Sequence, residues 1–137
     1  MKITEIYPSP EYKIGRVKRN GVITELREDS TILYLTQFGF DIEIIKPANT
    51  KRVDNPDVLM MGAIWEIKGP ESSNKNTIKN RFRKASRQAT KIIFDLRGIK
   101  NEPDKVEKQI INLFSGNGRV RRMMIIRKDG TLLDITK

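Results

Sequence analysis

Residues 57–68 read Asp-Val-Leu-Met-Met-Gly-Ala-Ile-Trp-Glu-Ile-Lys, and this stretch predicts the centre of the fold. Two short apolar runs with a glycine between them are typical of a β-hairpin. With Gly62 and Ala63 as the turn, Asp57 would lie opposite Lys68. Side chains alternate between the two faces of a strand, and cross-strand partners share a face. One face then carries Asp57, Glu66 and Lys68, and the other carries Val58, Met60, Trp65 and Ile67.

Upstream of the hairpin, the pattern predicts one helix and one strand. The helix would begin after a Thr24 N-cap and end at Gly39. Residues 40–45 alternate at period two, which indicates a strand. Residues 1–23 show no sustained period, and we interpret them as an extended lead-in with one short strand around residues 14–17. A polar loop over residues 48–55 would join the strand to the hairpin.

Downstream of the hairpin, the pattern predicts two helices, a buried strand and a second hairpin. The first helix follows possible caps at residues 72–74 and has an apolar stripe of Ile78, Phe82, Ala85 and Ala89. Residues 91–97 form a nearly continuous apolar run, which is typical of a buried strand. The second helix would run from Pro103 to Gly116, and the terminal hairpin would turn at Asp129 and Gly130. The fold class is therefore α/β (α+β), a mixed central sheet flanked by helices.

Composition limits the chemistry that this chain can perform. Its 137 residues fit one domain, and 27 Lys plus Arg against 17 Asp plus Glu give a net charge of +10. The chain has no His and no Cys, which excludes imidazole bases and thiol nucleophiles. Such a basic domain favours a polyanionic partner, nucleic acid before membrane, because no apolar run approaches the roughly 18–20 residues of a membrane-spanning helix. We expect a cytoplasmic site of action.

The charged face of the hairpin suits phosphodiester chemistry. A hard cation such as Mg²⁺ or Mn²⁺ is bound by one or two carboxylates, water and substrate phosphate, and Asp57 and Glu66 would be its ligands. Lys68 beside them could position the attacking water or neutralise developing charge. The alternative interpretation is purely structural: Glu66 and Lys68 form an ordinary cross-strand ion pair.

A strongly basic segment follows the hairpin directly. Between Lys75 and Lys91 there are seven basic residues and no acid. A row of cations at i, i+4 and i+8 repels itself unless an anion is near, and Lys or Arg contacts to phosphates provide affinity without sequence information. We predict that this helix binds nucleic acid through Lys79, Arg83, Lys84 and Arg87. A second basic patch, an extension of this surface, would comprise Arg119, Arg121, Arg122 and Arg127.

The sequence Pro56-Asp57, eight residues, then Glu66-Ile67-Lys68 resembles the PD-(D/E)XK nuclease motif. The resemblance implies a core order α-β-β-β-α-β, here with an added helix and a C-terminal hairpin. It implies that Asp57 and Glu66 bind metal and that Lys68 is catalytic. It also implies an extra acid from the preceding helix, Glu25 or Glu28, and a helical Gln, here Gln88.

Residues 57–97 also resemble the C-terminal tRNase toxin domains of bacterial CdiA contact-dependent inhibition proteins. The segments that carry this likeness are Trp65–Pro70, Asn76–Asn80, Lys84–Ala89 and Ile92–Leu96. The likeness implies a ribonuclease that cleaves tRNA, acts as a toxin and is neutralised by a dedicated immunity protein. Residues 1–137 would then be a single nuclease-like domain.

Two alternatives remain open at this point. Some toxins of this kind have the barnase/EndoU/colicin/RelE fold, which cleaves RNA without metal through the ribose 2′-hydroxyl. A RelE-like site without His would use residues from the group Lys68, Thr77, Arg81, Arg83 and Lys84. The other alternative is a non-catalytic basic module that binds nucleic acid or, through its basic face, an acidic partner protein.

Overall fold

The computed structural model describes residues 1–46 and 57–137, and it has a mixed α+β architecture. In this part of the chain, eight strands form one sheet in the order β1-β8-β7-β6-β5-β4-β3-β2. The predicted fold class is confirmed. The elements in chain order are β1 (Lys2–Ile6), β2 (Val17–Lys18), α1 (Leu26–Thr36), β3 (Ile42–Ile44), β4 (Val58–Met60), β5 (Ala63–Lys68), α2 (Lys75–Gln88), β6 (Lys91–Asp95), α3 (Pro103–Ser115), β7 (Arg122–Ile126) and β8 (Leu132–Thr136).

Helices cover the sheet from both sides. Helices α2 and α3 pack on one face, where Phe82 and Phe114 join Ile92 and Phe94 of β6 in one apolar core. Helix α1 packs on the other face over a second core that includes Trp65 and Ile67. Strands β5, β6 and β7 run parallel, and α2 is the crossover between the first two of them. The carboxyl ends of these strands therefore meet at one edge of the sheet, where open α/β sheets bind ligands.

Residues 1–23 contain two strands, where the sequence predicted an extended segment with one short strand. Strand β1 pairs antiparallel with β8, and β2 pairs parallel with β3, so the two strands form opposite edges of the sheet. The expected strand around residues 14–17 lies at Val17–Lys18. Strand β1 has no strong sequence pattern because its residues are mostly exposed, and its strand partner, β8, is distant in the sequence.

Helix α1 begins later than predicted. Its N-cap position is Glu25, and the hydroxyl of Thr24 donates instead to the Asp29 carboxylate at 2.9 Å. The helix ends before Gly39, which has a φ of +93° and whose N–H donates to the Thr36 carbonyl. The strand expected over residues 40–45 is shorter, Ile42–Ile44. The loop predicted over residues 48–55 and the Pro56 of the motif lie outside the described residues.

The downstream elements agree with the prediction. The Asn74 side chain caps α2 by accepting hydrogen bonds from the backbone N–H groups of Asn76 and Thr77. Strand β6 is buried along nearly its whole length, α3 begins at Pro103, and β7 and β8 pair antiparallel.

The β4–β5 hairpin forms, but its turn is one residue earlier than predicted. Met61 and Gly62 occupy the turn with φ values of +53° and +71°, so both adopt the left-handed conformation that two-residue hairpin turns require. The paired residues are Val58 with Trp65, Leu59 with Ile64 and Met60 with Ala63. Each cross-strand partner therefore moves by two positions, and every side chain keeps its predicted face.

Candidate active site

Asp57, Glu66 and Lys68 lie together on the face of the sheet that α2 covers. Continuing the β4–β5 register by one residue places Asp57 opposite Glu66, not opposite Lys68 as predicted. The carboxyl groups of Asp57 and Glu66 are hydrogen-bonded, and the Lys68 Nζ lies 3.4 Å from Glu66 Oε1. The Glu66 side chain is 3% exposed and that of Lys68 is 2% exposed, whereas Asp57 is half-buried.

Burial and crowding shift the protonation of this group. Burial, together with the hydrogen bond and the negative charge of Asp57, raises the pKa of Glu66 to about 8 against the opposing effect of Lys68. Burial also lowers the pKa of Lys68; Glu66 opposes this change, while the charges of Lys84 and Arg81 add to it. The buried Glu66 carboxyl and Lys68 amine lie 3.4 Å apart, so the ionisation of each depends on the other. Perturbed groups clustered in this way are typical of functional sites.

Helix α2 presents different cations on its two flanks. Successive helical residues are 100° apart around the axis, and Ile78, Phe82 and Ala85 point to the core. Arg81 and Lys84 then lie on the flank towards β5, where both charges act on Lys68. Gln88 projects from the same flank and is exposed.

The predicted nucleic-acid-binding residues are therefore divided. Of the four, only Lys84 lies on the flank near Lys68. Lys79 lines a cavity between α2 and α3, and the backbone carbonyl of Arg87 accepts a hydrogen bond from Arg119 Nη2. Arg83 shares that second flank by helical spacing. Arg81, which the sequence suggested only for a metal-independent site, lies with Lys84 on the flank near Lys68.

A polar cavity of about 200 Å³ lies at the carboxyl end of β5. It lies between the first turns of α1, the residues that end β5, and Arg81 of α2. Both Glu25 and Glu28 line it, but only Glu28 is buried, with 9% of its surface exposed. Among the residues that the structure describes, Glu28 Oε2 has no hydrogen-bond partner, which is costly for a buried carboxylate. Of the two acids that the motif resemblance suggested, Glu28 is the one that the fold holds in a constrained position.

Two polar contacts hold α1 over this cavity. The Thr31 hydroxyl donates to Asp95 Oδ2 at 2.6 Å, which ties α1 to the carboxyl end of β6. Arg27 Nη1 donates to the Gly69 carbonyl at 3.0 Å, which ties α1 to the residue after β5. Asp95 is itself held by Arg97, whose guanidinium stacks on the Tyr34 ring at 4.2 Å. Thr31 and Asp95 could not be predicted from the sequence, because neither belongs to a recognisable motif.

The second predicted basic patch is only partly available. Arg122 pairs with Asp134 at 2.7 Å and lies over the Trp65 ring, and Arg127 Nε lies 2.8 Å from Glu107. These two arginines are paired within the fold and are half-buried, so less of their charge is available to a ligand. Arg119 and Arg121 remain exposed.

The donor set suits a divalent cation held by few protein ligands. Asp57 and Glu66 could both ligate one ion, since they lie opposite each other in the β4–β5 register and the Asp57 carboxyl acts directly on that of Glu66. Among residues 1–46 and 57–137, no group of three or more Asp, Glu, His or Cys side chains is arranged to hold a metal. An ion here would complete its shell with water and substrate phosphate, as Mg²⁺ commonly does.

The fold is that of a small α/β domain also found in a solved bacterial complex. A chain of the CdiA-CT/CdiI toxin and immunity complex from Burkholderia pseudomallei superimposes with a TM-score of 0.66. The match covers 90% of this chain and 100% of that chain at 21% sequence identity. At this identity the likeness shows the fold alone.

The sequence places the chain more narrowly. Residues 54–132, more than half of the chain, match the family described as the contact-dependent growth inhibition CdiA C-terminal domain. The chain belongs to this family, and it is a toxin domain of contact-dependent growth inhibition. No curated protein matches it. The matched region contains the β4–β5 hairpin and the whole of α2. Among the described residues, none of the helices has the length and the apolar character that spanning a membrane requires.

Proposed function

We propose that this toxin domain is a nuclease that hydrolyses phosphodiester bonds of RNA, with tRNA as the substrate. The observation that carries the proposal is the buried Asp57–Glu66–Lys68 group beside Arg81 and Lys84. An ordinary surface ion pair would be exposed and mobile, whereas this group is desolvated and has cations directed at it. The choice of tRNA rests on the resemblance of residues 57–97 to CdiA C-terminal tRNase domains.

Asp57, Glu66 and Lys68 would act on the attacking water and on the phosphate. Lys68, with its pKa lowered, is neutral more often than a solvated lysine and can accept a proton from a water molecule. The water oxygen then bonds to phosphorus, one P–O ester bond breaks, and the departing oxygen takes a proton from solvent. Arg81 and Lys84 would stabilise the negative charge that develops on the phosphate oxygens.

Asp57 and Glu66 would hold the cofactor, Mg²⁺ or Mn²⁺. When bound, such a cation makes water more acidic and withdraws charge from phosphate oxygens. Glu28 lines the neighbouring cavity with an unpartnered oxygen, and there it would orient a water molecule near the site. Roles for Glu25 and Gln88 have less support, because both side chains are exposed.

A metal-independent ribonuclease is the second candidate function. Its support is the lowered pKa of Lys68 together with the adjacent charges of Arg81 and Lys84. In that reaction Lys68 would take the proton of the ribose 2′-hydroxyl, whose oxygen attacks phosphorus. Arg83, which the sequence grouped with this alternative, lies on the other flank of α2.

Cleavage assays separate these functions. The domain is incubated with total tRNA and with plasmid DNA in Mg²⁺, in Mn²⁺ and in EDTA. Cleavage of tRNA that stops in EDTA and returns with the cation supports the metal-dependent ribonuclease, whereas cleavage in EDTA transfers the assignment to the second candidate. If the domain cleaves neither substrate and a Glu66→Gln variant binds RNA as well as the wild type does, the domain is instead a non-catalytic module that binds nucleic acid.

The partner that would neutralise this toxin domain is an immunity protein. The solved relative in fold comes from a toxin and immunity complex. The +10 net charge of the chain suits an acidic inhibitor that covers the same cationic surface as the substrate. We place the action in the cytoplasm of a target cell, where tRNA is found. Because the two surfaces would coincide, charge reversal at Arg83 and Arg87 should weaken both the complex and RNA binding; loss of the complex alone would show that the inhibitor surface is separate from the substrate surface.

A further inference from the structure

A groove of about 610 Å³ lies between α2 and α3, on the flank of α2 opposite Lys68. Four lysines line it, Lys75, Lys79, Lys105 and Lys108, against one acid, Glu102. Glu102 is already engaged by Lys105, whose Nζ lies 3.0 Å away. Within the described part of the chain, no carboxylate lies within ion-pair distance of the other three lysines. The groove is therefore strongly cationic.

The floor and rim of the groove differ from a simple charged surface. The buried Val106 and half-buried Leu113 provide an apolar floor. Two amide side chains stand beside it: Gln109, whose Nε2 donates to the Lys75 carbonyl at 2.8 Å, and Asn112, which is exposed. The hydrogen bond of Gln109 fixes the spacing of the two helices, and the Asn112 amide is free to donate and accept.

This combination of groups matches the parts of a nucleotide. An unpaired base presents a flat apolar face and an edge of donors and acceptors, and proteins recognise it by packing and by side-chain amides. Lysines on the rim can contact the phosphates on either side. A nucleotide carries its phosphates beside its base, so this one ligand would use the lysines, the apolar floor and the adjacent amide together.

The groove also continues a cationic track across the domain. Lys79 begins the row that continues through Arg83 to Arg87, where Arg119 meets the helix. A helix with its side chains is about 10–12 Å across, so a nucleotide in the groove is not the one whose bond is cleaved at Lys68. We propose that the α2–α3 groove binds an unpaired nucleotide of the substrate nucleic acid, away from the scissile bond. The proposal rests on the proposed nuclease function and adds that the substrate carries an unpaired nucleotide.

The test uses a double variant with two exposed substitutions, Lys108→Glu and Asn112→Ala. Its matched control is Lys13→Glu, an exposed lysine of the N-terminal segment outside both helices. Binding of a fluorescent single-stranded RNA decamer and of tRNA is measured by anisotropy in a Glu66→Gln background, and cleavage of tRNA is measured without that change. We expect the double variant to weaken both affinities about tenfold or more, to raise KM and to leave kcat unchanged, whereas Lys13→Glu changes each by less than about twofold.

Three results would overturn the proposal in distinguishable ways. If the double variant has the affinity and the KM of the wild type and still cleaves tRNA, the groove does not bind substrate, but the proposed nuclease function stands. The double variant could lose the same affinity for inorganic polyphosphate as for RNA, while Asn112→Ala alone changes neither affinity. This result would show that the groove contacts phosphates only, and it would reject the bound nucleotide. Failure of the unmutated domain to bind or cleave RNA would reject both proposals.

Discussion

The carboxyl groups of Asp57 and Glu66 are hydrogen-bonded across the β4–β5 hairpin, on the face that α2 covers. Glu66 is almost fully buried and also faces Lys68. Glu66 has its pKa raised to about 8 in the folded protein, whereas in the unfolded chain it ionises freely at neutral pH, so this arrangement opposes stability at neutral pH. Groups kept at such a cost are candidates for function, and each of the following predictions tests one part of this site.

The Asp57→Asn substitution should abolish activity without loss of stability. It removes one cation ligand and also the negative charge beside Glu66, which lowers the pKa of Glu66 and strengthens its pairing with Lys68. We expect tRNA cleavage to fall about 100-fold or more and the melting temperature to stay the same or rise. The matched control is Glu43→Gln on the neighbouring strand, opposite Leu59 on the same face, which should retain activity. A melting temperature that falls sharply in Asp57→Asn would mean that the group is a structural ion pair.

Cation binding should depend on both carboxylates. Titration of the domain with Mn²⁺, followed by calorimetry, should show one site that disappears in Asp57→Asn and in Glu66→Gln. Removal of the cation by EDTA should stop cleavage but leave the affinity for RNA within about twofold, because the lysines and arginines of α2 carry most of the phosphate contacts. Undiminished Mn²⁺ binding in both variants would place the cation elsewhere.

The two flanks of α2 should have different kinetic effects. Arg81→Ala removes a half-buried cation that acts on Lys68, so kcat should fall about tenfold to 1,000-fold. Arg83→Ala removes an exposed cation from the other flank, so KM should rise and the salt dependence of RNA binding should decrease by about one counterion. Steady-state kinetics at several salt concentrations measure both effects. If the two variants changed kcat and KM in the same way, the two flanks of α2 would not differ in function.

The hairpin shows how much of the site could be predicted from the sequence. The face that carries Asp57, Glu66 and Lys68 follows from the period of two along a strand, and a register error of two positions does not change it. The partner of Asp57 could not be predicted, because the pairing depends on whether Met61 or Ala63 joins Gly62 in the turn. The structure places Met61, a residue with a side chain, in the left-handed conformation with a φ of +53°, which sequence preference disfavours.

Tertiary position decides the parts that the sequence could not predict. Helical spacing alone separates Arg81 from Arg83, but only the crossover from β5 to β6 determines which flank faces Lys68. Similarly, Glu25 and Glu28 are equivalent in sequence, and only the packing of α1 buries the second one. Strand β1 could not be predicted from its own residues, since its partner β8 lies at the other end of the chain.

Glu28→Gln should lower activity while preserving the fold. The buried Oε2 of Glu28 has no partner, and an unpaired buried carboxylate is costlier than an unpaired buried amide. We therefore expect an unchanged or higher melting temperature together with a loss of tRNA cleavage of about tenfold or more. Glu25→Gln is the matched control, because that carboxylate lines the same cavity but is exposed, and it should retain most of the activity. Full activity in Glu28→Gln would remove this residue from the site.

Gly62→Ala should destabilise the hairpin that places Asp57 beside Glu66. Gly62 has a φ of +71°, and an added Cβ would meet no atom within 4 Å, so its cost is the left-handed backbone conformation alone, about 1–2 kcal/mol. Gly118→Ala is the matched control, because its Cβ also meets open space but its φ is not positive. That control should be neutral or slightly stabilising, by up to about 1 kcal/mol. Urea unfolding of both variants measures the difference, and equal free energies of unfolding would show that the turn is not formed by Met61 and Gly62.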